Sequence, residues 1–168
     1  MQKISQFLLT ISCLSITTMA LADSTVAMNM TAEKGTGNSA GTVLITETKY
    51  GLLLTPDLHG LTPGPHGFHV HQKASCEDNG MAAGGHLDPK NTGKHLGPYN
   101  DTGHSGDLPI LYVNSDGTAT TPVLAPRIHH VKDIQNHALM IHNAGDNYSD
   151  KPEKLGGGGT RMVCGIIS

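Results

Sequence analysis

His66-Gly67-Phe68-His69-Val70-His71-Gln72 reads as a β-strand entered through the break Gly60-Leu61-Thr62-Pro63-Gly64-Pro65. Side chains alternate faces along a strand, so His69 and His71 project from one side and can grip one ion. From Lys73 to Gly106, glycines, prolines and polar residues indicate a long loop, and a loop of that length inside a domain usually has a function. It carries His86 within Gly84-Gly85-His86-Leu87-Asp88-Pro89, His95 within Gly93-Lys94-His95, and His104 within His104-Ser105-Gly106-Asp107. Six of the chain's eleven histidines fall between His66 and Asp107, with Cys76 among them. Imidazole is the commonest side-chain metal ligand, and zinc and copper suit it best. A polar loop merely decorated with histidines is the plainer reading. So many at mixed short spacings, ending in a carboxylate, favour a metal site that orders the loop.

Outward from this stretch the chain alternates short apolar segments with turns. Thr25 to Met30 forms a first strand, Gly41 to Thr48 a second, and Leu52-Leu53-Leu54 a third, opened by Gly51 and ended by Pro56-Asp57. Leu108 to Val113 and Thr118 to Leu124 flank Asn114-Ser115-Asp116-Gly117, and Asp-Gly between strands is a strong hairpin signal. Val131 to Gln135 reads as a single helical turn, Ala138 to His142 as a buried strand, and Arg161 to Ile167 as the last strand. A second irregular loop runs from Asn143 to Gly159. The 168 residues include 21 glycines, 9 prolines and no tryptophan, which points away from helices. Eight strands and two long loops, without repeat or linker, make one all-β sandwich or barrel.

The first residues have another character. Lys3 precedes a largely apolar stretch from Ile4 to Leu21, and Ala20-Leu21-Ala22 supplies a small-residue cleavage site before Asp23. Residues 1–22 are therefore expected to be a cleaved secretory signal and 23–168 the mature domain. The stretch is short and interrupted by polar residues, which argues against a retained transmembrane anchor. Lipoprotein processing at Cys13 is a weaker rival, because it leaves a very short apolar region. Without the leader, 10 basic and 14 acidic residues remain, a net charge of −4 that suggests no nucleic-acid partner. Nor is there a basic amphipathic helix or second apolar span to hold a membrane. Only Cys76 and Cys164 remain, and two cysteines in an exported chain read as one disulfide.

The candidate ligands sort into two sets. His86, His95, His104 and Asp107 supply three imidazoles and one carboxylate, a set that fits a closed tetrahedral zinc site. His69, His71 and His142 remain for an all-nitrogen site suited to Cu(II), one ligand short of tetragonal geometry unless His86 touches both ions.

These residues sit in longer motifs: Gly67-Phe68-His69-Val70-His71, Ala83-Gly84-Gly85-His86, Gly93-Lys94-His95-Leu96-Gly97-Pro98 and Gly103-His104-Ser105-Gly106-Asp107-Leu108-Pro109. Further on come His142, Asp146, Tyr148-Ser149-Asp150, and a tail from Leu155 through four glycines to Arg161-Met162-Val163-Cys164-Gly165. In these motifs the chain resembles the bacterial copper–zinc superoxide dismutases of the periplasmic class, over essentially the whole mature sequence. The resemblance implies an eight-stranded antiparallel Greek-key sandwich or barrel of immunoglobulin-like architecture with two long functional loops. It implies one copper and one zinc per subunit, with copper on His69, His71, His86 and His142, and zinc on His86, His95, His104 and Asp107. Asp146 then matches the outer carboxylate that accepts hydrogen bonds from one histidine on each metal, Arg161 the arginine beside copper, and Cys76–Cys164 the family disulfide.

The implied activity is dismutation of superoxide to dioxygen and hydrogen peroxide in the periplasm, by copper cycling between Cu(II) and Cu(I). His86 couples electron and proton transfer, and Arg161 holds the anion. Lys94, Lys151 and Lys154 are candidates for a positive funnel, each more simply a solvated lysine. His66 matches a histidine that braces the backbone; His59, His129, His130 and His137 read as surface or core polar residues, and Met28 and Met30 as strand residues. Only ten positions separate Cys76 from His86, fewer than in most bacterial relatives, whose longer loop carries steering lysines and part of a dimer contact. Monomer and homodimer both stay open. Three alternatives compete. A metal-delivery module without turnover fits poorly with a full ligand set plus Arg161. A zinc hydrolase needs an open zinc position that four protein ligands do not leave. An adhesion sandwich does not explain the histidines.

Overall fold

Alternating inward apolar and outward polar residues build nine strands in the computed structural model, which describes residues 23–168. The signal expected over residues 1–22 lies outside the described residues. The first three strands, β1 (Asp23–Met30), β2 (Ser39–Thr48) and β3 (Gly51–Leu58), form an antiparallel meander in which Val26 faces Val43 and Ile45 faces Leu54. Along β2, Val43 and Ile45 are fully buried while Leu44 between them is 38% exposed, the signature of a sheet wetted on one side. Gly51 opens β3 at φ +126°, and a Cβ there would lie 2.2 Å from the Ala125 carbonyl oxygen, so only glycine closes this corner.

The remaining strands are β4 (Gly64–His66), β5 (Phe68–His71), β6 (Leu111–Val113), β7 (Val123–Ala125), β8 (Ala138–His142) and β9 (Arg161–Ile166). Seven of them form one antiparallel sheet in the order β5-β8-β9-β1-β2-β3-β7, and β4 pairs with β6 in a second ribbon. The only helices among the described residues are three short 3-10 turns, at Met81–Ala83, Val131–Asp133 and Lys154–Gly157. None is long and apolar enough to cross a membrane. The all-β architecture expected from the sequence is the one observed.

Two expectations change in detail. The strand expected from His66 to Gln72 divides at Gly67, whose N–H is drawn to the Ala144 carbonyl at 2.8 Å, so β4 and β5 belong to different sheets. That division raises the count from eight to nine. The turn at Asn114 to Gly117 forms, with the Asn114 N–H on the Thr118 carbonyl at 2.7 Å, but its flanks are not a hairpin ladder. β6 stays with β4, while the chain peels away through an Ala119–Leu58 bridge to place β7 beside β3. Pro122 has no N–H to give a ladder between them.

The core fills the space enclosed by these strands, around Phe68, Val70, Leu139, Ile141, Val43 and Leu54. β5 and β8 are unusual in being buried on both faces. Their inner side chains enter that core. Their outer face is roofed by the two long loops, and Ala138, Met140 and Cys164 pack there with Ala83 of the first loop. Cys76 and Cys164 are joined in a disulfide spanning 88 positions, which staples the first loop to β9. In the chain-entropy treatment such a closure stabilises by about 4–5 kcal/mol. The segment after Cys76 is also tied to the β1–β2 connection: the Gly35 N–H donates to Glu77 Oε2 at 2.9 Å, and the Asn79 N–H to the Ala32 carbonyl at 2.8 Å. Met28 lies fully buried in the core and Met30 packs against it.

Candidate metal centre

Val70 fastens the first loop to β5. Its N–H donates to the Gly106 carbonyl at 2.9 Å and its carbonyl accepts the Leu87 N–H at 2.8 Å. Those two anchors are the immediate neighbours of His86 and Asp107. The loop thereby lays both residues against His69 and His71, with bridges pairing His71 to His86 and His69 to Asp107. His142 arrives from the end of β8, next to β5 in the sheet. All these side chains are buried.

Two overlapping groups of donor atoms result, each with its atoms within 4.8 Å of one another: His69, His71, His86 and His142, and His69, His86, His95 and Asp107. In the first group, His71 Nδ1–H donates to the Gly84 carbonyl at 3.0 Å and His142 Nδ1–H to the Gly159 carbonyl at 3.3 Å. A carbonyl only accepts, so both protons sit on Nδ1 and both Nε2 atoms present lone pairs. Those two Nε2 atoms stand 3.3 Å apart, two bases aimed at one point. Burial, followed by the charge of His86, depresses both rings, His142 down to about 4 and His71 further. Protons therefore do not relieve the confrontation at neutral pH. A cation does.

Asp146 joins the two groups. Its Oδ2 accepts from His69 Nε2 and its Oδ1 from His95 Nε2, each at 2.8 Å, which leaves Nδ1 of both rings facing inward. His69 Nδ1, His95 Nδ1, His104 Nδ1 and His86 Nε2 are buried with no hydrogen-bond partner. Four orphaned buried nitrogens are costly unless something occupies the space between them. The donor set fits two cations of the zinc and copper kind.

Asp107 is the other anchor. Oδ1 lies 3.0 Å from His86 Nδ1 and 3.4 Å from His104 Nδ1, and Oδ2 lies 3.1 Å from His95 Nδ1. Burial works to raise its pKa, but the imidazoles of His104, His86 and His95 around it prevail and keep the carboxylate ionised far below the ordinary range. Asp146 behaves alike, with burial outweighed by His69 and His95. Burial likewise opposes a charge on His95, yet the two carboxylates overcome it and raise the ring to about 9.

Arg161 at the head of β9 donates through Nη1 to the Gly80 carbonyl and through Nη2 to the Gly84 carbonyl. Gly84 thus restrains both Arg161 and His71. Arg161 and His142 line a cleft of about 400 Å³, with Met81, Thr160, Glu153 and Lys154 at its rim. Of the three lysines considered for a positive funnel, only Lys154 lines this cleft, beside Glu153 of opposite charge. A separate cleft of about 490 Å³ against the disulfide contains no histidine.

The other histidines lie apart from the cluster. His66 braces the backbone, its Nδ1 2.7 Å from the His142 carbonyl and its Nε2 2.7 Å from the Thr62 carbonyl. His59, His129 and His130 are on the surface, and His137 Nδ1 is 2.8 Å from the Gln72 carbonyl. Sequence reading missed the contribution of Gly80, Gly84 and Gly156, which act through their backbones and carry no side-chain signal. At Gly156, φ is +73° and a Cβ would lie 1.9 Å from Asp146 Oδ1 and 2.8 Å from His95 Nε2. The run of four glycines was its only trace in the sequence.

Comparison with known proteins gives a consistent picture. A family model described as copper/zinc superoxide dismutase (SODC) matches residues 39–167. The chain is 55% identical over 162 residues to "Superoxide dismutase [Cu-Zn] 1" of Salmonella typhimurium, covering 92% of each protein. Its fold is similar to the Cu/Zn superoxide dismutase from Brucella abortus, with a TM-score of 0.83 and 48% identity over 88% of this chain and all of that one. It is also similar to the solution structure of the monomeric copper, zinc superoxide dismutase from Salmonella enterica, with a TM-score of 0.78 and 53% identity over 88% of this chain and all of that one.

Proposed function

The chain belongs to the copper/zinc superoxide dismutase family, and from that premise we propose how its own residues divide the work. It is an oxidoreductase that dismutes superoxide to dioxygen and hydrogen peroxide, with copper and zinc as cofactors. His69 Nδ1, His71 Nε2, His86 Nε2 and His142 Nε2 hold copper. The observation that carries this set is the pair of opposed Nε2 lone pairs of His71 and His142. His86 Nδ1, His95 Nδ1, His104 Nδ1 and Asp107 hold zinc. His69 lies within reach of both groups, but Asp146 occupies its Nε2, so it has one nitrogen to give and gives it beside His71. His104 brings an orphaned Nδ1 beside Asp107 to complete the zinc set.

When bound, copper supplies the one-electron couple that accepts an electron from one superoxide and returns it to the next, and zinc supplies fixed positive charge. Arg161 attracts the anion into the cleft and orients it, its guanidinium kept in place by the Gly80 and Gly84 carbonyls. Whenever His86 Nε2 is not engaged by copper it would be free to take a proton from solvent, and it would give that proton up to product oxygen on returning to the metal. Asp146 keeps protons on the outer nitrogens of His69 and His95, so their Nδ1 lone pairs stay directed inward. The buried rings of His69, His71 and His86 exclude bulk water from behind the reacting oxygen.

Metal analysis paired with a superoxide-consumption assay tests the assignment. Roughly one copper and one zinc per chain are expected, with activity lost on copper removal and restored by copper alone. Arg161→Ala should keep both metals and lose about ten- to hundredfold in rate, equivalent to about 1.5–3 kcal/mol for hydrogen bonds to a charged group. Activity surviving copper removal, or an unchanged rate in that variant, refutes the corresponding role.

Export to the periplasm is part of the same proposal, supported by the leader pattern and by the disulfide. Protein recovered from the periplasmic fraction of an expressing bacterium should begin at Asp23. A chain beginning at Met1, or a lipid on Cys13, refutes it.

A further inference from the structure

We infer that Arg127 is a positioning residue for the zinc ligands, a fork driven from the barrel wall into the loop that carries them. Arg127 stands just beyond β7, in Ala125-Pro126-Arg127-Ile128. Its root is rigid. Ile128 is 4% exposed within the core, and its carbonyl accepts the Leu52 N–H of β3 at 2.8 Å. From there the guanidinium reaches across to the loop, donating through Nη1 to the Gly97 carbonyl at 3.1 Å and through Nη2 to the Gly103 carbonyl at 3.0 Å.

Both acceptors adjoin the zinc set. Gly97 follows His95 by two residues, and its own N–H donates to Asp107 Oδ2 at 3.2 Å, beside the Leu96 N–H at 3.3 Å. Gly103 directly precedes His104, whose N–H donates to the Lys94 carbonyl at 2.9 Å. On its other side Gly97 meets the Tyr148 ring, whose Cγ lies 2.6 Å from where a Cβ would be. The peptide groups that orient His95, His104 and Asp107 are thus held between an aromatic ring and a planar fork.

The segment from Leu87 to Ile110 has no strand or helix of its own. Ordering it costs backbone entropy at every residue, and a metal ion that had to order it alone would be bound less tightly. Arg127 fixes the spacing of two carbonyls six residues apart before any ion arrives. Lysine cannot replace it, because an ammonium is a point charge without a rigid pair of parallel donors. Asp101, 3.7 Å from Nε and 92% exposed on its side chain, is incidental.

The inference rests on the zinc set proposed above, and the test separates the two. Zinc transfer to a colorimetric chelator and the visible spectrum of the cobalt-substituted protein are measured for the unmodified chain, Arg127→Ala, Arg127→Lys and Asp101→Asn. Both Arg127 variants should release zinc about ten- to hundredfold more readily, the range for loss of a group that supports a metal ligand. Their cobalt spectra should shift, copper affinity should hold, and Asp101→Asn should match the unmodified chain. Unchanged zinc release in Arg127→Lys overturns the inference alone. Equal weakening of copper and zinc, with unshifted cobalt bands, makes Arg127 a general prop and also overturns it. Should Arg127→Ala fail to fold, Arg127→Lys, which keeps stem and charge, decides. Failure of the unmodified chain to bind zinc overturns the ligand set and this inference with it.

Discussion

Alanine at position 86 should abolish most turnover and loosen both metals at once. His86 is the one ring with a nitrogen turned to each group: Nδ1 lies 3.0 Å from Asp107, and Nε2 is buried and unpartnered on the side of His71 and His142. Its ring stacks on His69 at 3.9 Å between centroids, so its loss also opens a gap in a closely packed cluster. Removing a positioned proton donor typically costs about 10²–10⁴-fold in rate, and the missing ligand adds to that loss. His104→Ala is the informative partner. His104 touches only the zinc side, so that variant should lose zinc and retain copper near His69, His71 and His142. Metal content and superoxide consumption, measured on protein with its disulfide intact, distinguish the two. A His86→Ala protein that kept both metals and its rate would remove the shared ring from the mechanism.

The contrast between those two histidines shows what sequence can carry. His69 and His71 are legible because strand alternation is local: two residues apart means one face. The separation of His86 from His104 into shared and unshared roles depends on where Leu87 and Gly106 bond to Val70, a long-range event. In the sequence that division is an expectation, drawn from the missing fourth copper ligand and from the resemblance. The same distinction explains the strand differences. Gly67 reads as one more residue in a continuous strand because its departure depends on Ala144, far along the chain. Asp116-Gly117 does form its turn, but whether the flanks then pair depends on which sheet edge is free, and β3 offers one to Val123–Ala125. Arg127 passed unnoticed for a related reason. An arginine after a short strand reads as surface until its carbonyl partners, 24 and 30 positions away, are located.

Asp146 sets the inner lone pairs of His69 and His95 together, so a displacement there should reach copper and zinc alike. Gly156→Ala delivers such a displacement without replacing a ligand. The added methyl would sit 1.9 Å from Asp146 Oδ1 and 2.8 Å from His95 Nε2, distances no Cβ tolerates, and backbone holds it there: the Gly156 N–H donates to the Ser149 carbonyl at 3.0 Å. Asp146 must swing away, freeing the outer nitrogens of two ligands. Metal affinity should fall about ten- to hundredfold, with loading of both ions and superoxide consumption declining together. Positive φ alone costs alanine about 1–2 kcal/mol, and Gly157→Ala isolates that contribution. Gly157 has φ +74°, nearly that of Gly156, but its nearest neighbour is Glu153 Oε2 at an ordinary 3.6 Å. Gly157→Ala should therefore lose some thermal stability while retaining its metals and most of its rate. Equal behaviour of the two variants would mean that backbone strain, and not the carboxylate bridge, governs this end of the centre. Loss of zinc alone in Gly156→Ala would confine Asp146 to His95 and leave His69 to be oriented by β5.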